Sequence, residues 1–117
     1  METKTGKCHC GKVTYTVDID LSKPVIECNC SYCQVKGLLL SFVQGEAFTL
    51  LSGENDMTLY HFNTEKIDHL FCNVCGVQAF GRATNKDGSL GVAINVRTLD
   101  DIDLQKINRM PYDGRSM

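Results

Sequence analysis

Short runs in which apolar and polar residues alternate set the pattern of this chain of 117 residues. In the clearest run, Val13, Tyr15 and Val17 are separated by single polar residues. A period of two residues is typical of a strand that buries one face. The run therefore predicts a half-buried strand over residues 13–17.

The rest of the chain continues in short apolar runs that are bounded by glycine, proline or polar turn residues. Asn63-Thr64 interrupts one run, and residues 85–88 are a strong turn signal. Helix is favoured only at residues 34–37, a single turn closed by glycine, and at residues 101–107. The further predicted strands are 25–26, 38–43, 47–51, 57–62, 67–71, 77–81 and 90–96.

About eight short strands, little helix and no internal repeat predict a mainly all-β fold of layered, mostly antiparallel sheets. There is no linker signal, so residues 1–117 are expected to form a single domain. Residues 1–7 are predicted to be a polar lead-in and residues 18–24 a loop. Apolar positions within the strands are assigned to the core; among them are Phe42, Phe48, Leu50 and Phe80.

The charge and the hydropathy of the chain argue against nucleic-acid and membrane partners. The net charge is −2, and the 12 basic residues are scattered, so the sequence lacks the basic patch of a nucleic-acid-binding protein. The apolar runs are too short to span a bilayer, and Met1 to Thr5 contain no hydrophobic targeting segment. We expect a soluble, cytoplasmic protein without nucleic-acid or membrane partners.

Seven cysteines form three groups, and none of them stands alone. Cys28, Cys30 and Cys33 lie within six residues, a spacing that packing of small apolar side chains does not explain. Three thiolates from one short segment can bind one face of a tetrahedral ion and leave the fourth position open, as in catalytic zinc sites. This segment predicts an open zinc site.

Cys72 and Cys75 have the spacing of a zinc knuckle, and Gly76 follows the second ligand. A knuckle needs two more ligands, and Cys8 and Cys10 can supply them. The simplest partition is a closed site of four cysteines beside the open site of three, although the spacing also allows the knuckle to take two ligands from Cys28, Cys30 and Cys33.

Two other uses of the cysteines are less favoured. An odd number of cysteines, their tight spacing and the lack of a secretory segment argue against a disulfide framework. Iron-sulfur clusters also use thiolates, but their usual ligand runs differ from these spacings. Zinc in a reducing compartment is therefore the favoured interpretation.

Four segments carry a resemblance to a known family: Cys8–Val13, Cys28–Cys33, Phe71–Gly76 and Val92–Asp100. In this order they resemble the glutathione-dependent formaldehyde-activating enzyme family, which includes centromere protein V, over nearly the whole chain. The resemblance implies a β-tent fold and carbon-sulfur lyase chemistry. It also implies a structural zinc on Cys8, Cys10, Cys72 and Cys75 and a second, catalytic zinc on Cys28, Cys30 and Cys33, two ions in total.

The sequence departs from the family pattern beside the open site. Family members often carry histidine where Asn29 stands and a basic residue where Gln34 stands. Loss of a positive charge there weakens the attraction for an anionic thiol such as glutathione. Asp113-Gly114-Arg115 resembles a recurring ending of the family.

The donor set limits the chemistry. Zinc with three thiolates carries a net charge of −1 and is a weaker Lewis acid than zinc with three histidines, but it can exchange its fourth ligand. A small thiol could bind there as thiolate and add to, or leave, the carbon of formaldehyde or a related carbonyl. The alternative is a non-catalytic zinc-binding module that carries thiol adducts or handles metal. A pocket at the open site would discriminate between the two.

Polar residues outside the cysteine groups give weaker signals. His69 could be a proton shuttle near the closed site, but on an alternating strand an outward position is favoured. His9 is expected to point into solvent and His61 to be an ordinary strand residue. Asn95 and Arg97 share one face if their strand is regular and could bind a carboxylate, although a structural role is favoured.

Overall fold

The computed structural model describes residues 1–61 and 67–116. Within them the chain forms two β-sheets, one α-helix and three short 3-10 helices. The end of the predicted strand at Phe62 and the break at Asn63-Thr64 lie outside the described residues. The strands are β1 (Glu2–Lys7), β2 (Thr14–Ile19), β3 (Val25–Cys28), β4 (Leu40–Gln44), β5 (Phe48–Ser52), β6 (Met57–Tyr60), β7 (Ile67–Cys72), β8 (Phe80–Thr84), β9 (Leu90–Asn95) and β10 (Arg109–Tyr112).

The strands are arranged in two layers. The smaller sheet has the order β1-β2-β5, and the larger has the order β10-β3-β4-β9-β8-β7-β6. Every pair is antiparallel except β10 with β3. The mainly all-β, mostly antiparallel fold predicted from the sequence is confirmed. No helix in the described part of the chain has the length and apolarity that a membrane crossing requires.

The main core lies between the two sheets. Alternation along β2 turns Tyr15, Val17 and Ile19 inward, as the sequence pattern predicts. Tyr15 packs against Phe48 and Phe80, with ring centroids 5.4 and 6.3 Å away. Burial of these aromatic and β-branched side chains is the principal force that joins the layers.

The opposite face of the larger sheet carries a second, smaller cluster. Helix α1 (Ser31–Lys36) follows β3, and its Cys33 packs with Leu38, Leu40 and Ala93. The helix begins three residues before the predicted turn because the Cys30 side chain caps it, and it ends as predicted at Gly37, which has a left-handed φ of 70°. The open cysteine group therefore lies on the face away from the main core.

Two strands were not predicted from the sequence. Residues 1–7 contain β1 instead of a polar lead-in, because the backbone of Glu2–Lys7 pairs with β2 over its whole length. Residues Arg109–Tyr112 form β10 at the sheet edge, where Pro111 is tolerated. The helix predicted at 101–107 is wrong, since this segment forms turns.

Three further details correct the sequence-based picture. Phe42 was assigned to the core, but it is 61% exposed on β4. Strand β8 begins at Phe80 rather than at residue 77. Strand β9 ends at Asn95, whose side chain accepts a hydrogen bond from the Arg97 amide and starts a 3-10 turn, so Asn95 and Arg97 do not share a strand face.

Candidate metal centres

The sulfur atoms of Cys8, Cys10, Cys72 and Cys75 all lie within 4.8 Å of one another. We call this group the four-cysteine cluster. The Sγ atoms of Cys8 and Cys10, and those of Cys10 and Cys72, are 3.6 Å apart. A zinc ion with Zn–S bonds of ~2.3 Å requires an edge of roughly 3.8 Å in a regular tetrahedron. The four donors therefore fit a zinc ion, in an arrangement consistent with a zinc knuckle.

Two turns supply the four cysteines, one beside a strand of the smaller sheet and one beside a strand of the larger sheet. The turn between β1 and β2 carries Cys8, whose Sγ accepts a hydrogen bond from the Val13 amide at 3.3 Å. Cys72 ends β7, and its Sγ accepts from the Cys75 amide at 3.5 Å. Gly76 adopts a φ of 81°, which lets the second turn close without strain. Backbone amides thus surround the sulfurs and stabilise negative charge on them.

The pKa values of Cys10 and Cys75 are shifted in opposite directions. Desolvation opposes ionisation of Cys75, but amide hydrogen bonds from Val77 and Cys10 outweigh it and lower the pKa of Cys75 to about 6. The Lys12 amide lowers the pKa of Cys10, yet desolvation and the neighbouring sulfurs raise it to about 11. Thiolates held this close repel one another unless a cation balances their charge. This is the donor chemistry of a metal centre.

Cys28, Cys30 and Cys33 form a separate three-cysteine cluster, again with all sulfurs within 4.8 Å of one another. Cys28 ends β3, Cys30 caps α1, and Cys33 lies in the first helical turn. The amides of Cys30 and Cys33 donate to the preceding sulfurs at 3.4 and 3.3 Å. The end of one strand and the start of one helix are sufficient to direct three donors at a single point.

The thiols of this cluster also differ from one another. Burial opposes ionisation of Cys30, but the amide and the side chain of Cys33 and the neighbouring Cys28 hold its pKa below the usual value. Burial raises the pKa of Cys33. The grouping of the seven sulfurs into four and three matches the simplest partition inferred from their spacing, and the knuckle takes no ligand position within the triplet.

The C-terminal segment closes on the three-cysteine cluster. The Asn29 side chain donates to Asp113 at 3.0 Å, and the Asn29 amide donates to the Tyr112 carbonyl at 3.0 Å. Gly114 packs so tightly that a Cβ atom there would lie 2.5 Å from the Sγ atom of Cys28. The Asp-Gly ending recognised in the sequence is therefore a contact that only glycine permits.

A cavity of about 530 Å³ opens beside the three-cysteine cluster. It occupies the face of the larger sheet that turns away from the main core. Its described lining consists of the three sulfurs, a few polar groups and a majority of apolar side chains: Ile26, Cys28, Cys30, Cys33, Leu40, Phe42, Ile67, His69, Gln78, Gly81, Ala93, Met110 and Tyr112.

His69 corrects an expectation from the sequence. It lies on the strand face opposite to Cys72, as alternation requires. Its side chain is nevertheless only 7% exposed, because the ring of Tyr32 covers it, with the two ring centroids 4.1 Å apart. It lines the cavity of the three-cysteine cluster and not the surroundings of the four-cysteine cluster. Burial, with His61 and Lys36 nearby, lowers the pKa of His69, so the ring is neutral at pH 7.

Gln78 is a site residue that sequence reasoning missed. Tyr32 donates its hydroxyl to Gln78 Oε1 at 2.5 Å, and Gln78 Nε2 lies 3.5 Å from His69 Nδ1. An amide nitrogen can only donate, so Nδ1 accepts, and the neutral imidazole carries its proton on Nε2. No local sequence signal marks Gln78, because its partners come from α1 and β7.

The other polar candidates occupy structural positions. Asn95 donates to the Gln78 carbonyl at 2.9 Å, and Arg97 Nε donates to the Gly37 carbonyl at 2.9 Å. His61 lies 2.6 Å from Asp68, just after β6. His9 is exposed, as expected.

Arg97 also borders a second, polar hollow of about 350 Å³ beside the triplet. Asn29, Gln34, Cys28 and Cys33 line it as well. The three-cysteine cluster is thus accessible from an apolar cavity and from a polar hollow.

Comparison with known proteins agrees with this geometry. A family model for the glutathione-dependent formaldehyde-activating enzyme matches residues 3–110. The fold is similar to that of a Rhodobacter sphaeroides protein known from a crystal structure, with a TM-score of 0.79 and 25% sequence identity over 92% of this chain and 97% of the other. A match over most of the chain, together with the two cysteine clusters, shows that the chain belongs to the glutathione-dependent formaldehyde-activating enzyme family.

Proposed function

We propose that this chain is a zinc-dependent carbon-sulfur lyase-type protein. It makes or breaks an adduct between a small thiol, glutathione or a similar molecule, and formaldehyde or a related carbonyl. The observation that carries the proposal is the cavity in which Cys28, Cys30 and Cys33 lie beside a buried, neutral histidine. A pocket at this cluster is the feature that favours an enzyme over a metal-handling module.

Two zinc ions are part of the proposal. The four-cysteine cluster would hold a structural ion and the three-cysteine cluster a second one. Thiolate donors suit zinc, and the sulfur spacing fits it. Zinc bound to the triplet would supply a Lewis acid that lowers the pKa of a substrate thiol.

The polar hollow offers a binding position for an anionic thiol. Arg97 keeps further N–H groups besides the one that it donates to Gly37, and a guanidinium binds carboxylates in a planar, two-pronged geometry. Glu27 also borders the hollow, but Arg109 pairs with it at 3.5 Å. A glutathione-like carboxylate would therefore bind Arg97 while its sulfur reaches the cysteines.

His69 would act on the carbonyl oxygen. Its fixed tautomer holds a proton on Nε2, and the apolar walls exclude water, which strengthens any hydrogen bond made inside the cavity. As the thiol adds, negative charge develops on the oxygen and a donor there stabilises it. In the reverse direction the same N–H would donate to the oxygen as the thiolate leaves the carbon.

The test combines zinc content with adduct turnover. Protein purified under reducing conditions without chelators should contain about two zinc ions per chain by the ligand count, and Cys30→Ala should contain one fewer. Exchange between free formaldehyde and its glutathione adduct, followed by NMR, should be accelerated by the wild type and not by Cys30→Ala. Unchanged exchange and unchanged thiol affinity in this variant would refute the proposal. Thiol binding without acceleration would instead favour the carrier or metal-handling module.

A further inference from the structure

The cavity exists because small residues meet in the middle of the larger sheet. Across β4, β9, β8 and β7 the register pairs Phe42 with Ala93, Ala93 with Gly81, and Gly81 with His69. These side chains project on one face, so Ala93 and Gly81 leave a depression between two rings. Among the described residues, the depression follows from the register of these strands.

The walls of this depression are apolar. Ile26, Leu40, Met110 and Ile67 line it, and apart from the cysteine triplet none of its described lining residues carries a formal charge when His69 is neutral. Burying a carboxylate or an ammonium against such walls is costly, since nothing there replaces its hydration. The charged parts of a glutathione-like thiol are therefore unsuited to this cavity and suited to the hollow beside Arg97.

The size of the cavity also favours a ligand larger than formaldehyde. About 530 Å³ lies within the range of small-molecule sites, roughly 300–1,000 Å³. Formaldehyde, with a single carbon, would leave most of this space unfilled. Phe42 and Met110 stay largely exposed at the rim, and covering them with an apolar ligand is favourable.

Three of the polar residues that line the cavity, Cys33, His69 and Gln78, lie in or beside helix α1. Cys33 and Tyr32 belong to α1, and Tyr32 contacts both Gln78 and His69. The apolar side chains of β4 and β10 make up the other side. A fitting ligand therefore has one reactive polar end and an apolar body.

We propose that the carbonyl partner of this chain is an aldehyde with an aliphatic or aromatic body, which the cavity binds while the aldehyde group meets the cysteine triplet. This inference rests on the proposed function and specifies its substrate. The thiol sulfur forms a bond to the aldehyde carbon, and the thiol proton ends on the oxygen, which gives a hydroxyl group. Reversal breaks the same carbon-sulfur bond, and no oxidant or reductant is needed.

The experiment compares aldehydes of increasing length on the zinc-loaded full chain. Formaldehyde, propanal, butanal and pentanal are each combined with glutathione, and both calorimetric binding of the adduct and its rate of exchange by NMR are measured. Each methylene buried in the cavity should tighten binding about fourfold. Affinity that stays flat or falls with length overturns the inference, while accelerated formaldehyde exchange would still uphold the proposed function.

Variants locate the effect in the cavity. Ala93→Leu fills the depression and should abolish the dependence of binding on the length of the aldehyde. Ala47→Leu, in the 3-10 helix Gly45–Ala47 away from the cavity lining, is the matched control and should keep that dependence. The proposal is overturned if affinity still rises with aldehyde length in Ala93→Leu. It is also overturned if a longer chain tightens binding when it belongs to the thiol, as with formaldehyde and pentanethiol, but not when it belongs to the aldehyde, as with pentanal and glutathione. If no pair is bound or exchanged by the wild type, the proposed function fails as well.

Discussion

The two cysteine clusters use the same donor atom in opposite structural settings. The four-cysteine cluster joins residues 62 positions apart, and Cys8 and Cys72 belong to the main core. The three-cysteine cluster comes from one short segment on the other face of the larger sheet and borders two cavities. The origin of the cysteines in the chain, and not their chemistry, separates a cluster that joins the two sheets from one that is accessible from two cavities.

The physical reason lies in what each centre connects. Cys8 and Cys10 follow β1 of the smaller sheet, whereas Cys72 ends β7 of the larger sheet and Cys75 lies in the turn after it. A metal held by all four would cross-link the layers at one end of the core. A metal held by the triplet would constrain only the junction of β3 and α1, so its loss leaves the layers packed.

The largest expected effect is that of removing a ligand from the four-cysteine cluster. Cys75→Ala should abolish the folded state, because zinc binding of about 10 kcal/mol or more is comparable to the whole stability of a small domain. Circular dichroism and thermal melts measure this. Cys30→Ala is the matched control and should stay folded with one zinc fewer. Equal destabilisation of the two variants would contradict the division between the clusters.

Alkaline unfolding, compared between the wild type and Tyr15→Phe, tests the core side of the sheet. Burial, reinforced by Asp100, raises the pKa of Tyr15 to about 12 despite its hydrogen bond to Thr98. The unfolded chain releases this proton near pH 10. The contribution of Tyr15 to the free energy of unfolding is therefore fully present below that pH, and up to ~2.7 kcal/mol of it is lost as the pH rises to 12.

Urea unfolding at pH 8, 10 and 11.5 measures this loss. In Tyr15→Phe the contribution should disappear, whereas Tyr112→Phe, a half-exposed tyrosine at the cavity, should keep the wild-type pH profile. A Tyr15→Phe profile as steep as that of the wild type would assign the loss to other groups.

A methyl group added at Gly114 should damage the three-cysteine cluster selectively. The new Cβ atom would meet the Sγ atom of Cys28 at 2.5 Å, and overpacking of this kind costs roughly 1–3 kcal/mol. Zinc analysis of Gly114→Ala should detect one ion fewer in a protein that remains folded. Gly45→Ala, whose nearest contact would be 3.1 Å, is the control and should retain both ions. Full zinc content in Gly114→Ala would argue against the contact.

The smallest effect concerns catalysis without loss of metal. His69→Gln keeps a polar side chain of similar reach but removes the imidazole Nε2–H, and adduct exchange should slow by about tenfold or more. Zinc content and melting temperature should change little. His61→Gln, just after the neighbouring strand β6, is the control. Similar slowing in both variants would mean that His69 has no special role.

Local patterns account for the parts of the fold that the sequence revealed. The alternation at 13–17 predicted β2 because every second residue of a strand with one buried face is apolar. Gly37 ended its helix as predicted, since few residues adopt a left-handed φ. By contrast, β1 and β10 form through backbone pairing with distant strands, which leaves no apolar pattern to recognise.

Burial was harder to predict than strand position. Phe42 and His69 both lie on strands that the sequence indicated, yet Phe42 is exposed and His69 is buried. Alternation determines which face a side chain occupies, but it does not determine what covers that face. Here the smaller sheet packs against one face, and α1 covers only part of the other.

The sequence by itself determined the three groups of cysteines, since donors two or three residues apart must lie near one another in any fold. It also indicated the family and its mainly β architecture. Only the tertiary structure decided how the groups combine, why Gly114 must lack a side chain, and that Ala93 and Gly81 meet between Phe42 and His69. These contacts depend on the register of strands far apart in the chain, and register is set by the packing of the whole sheet.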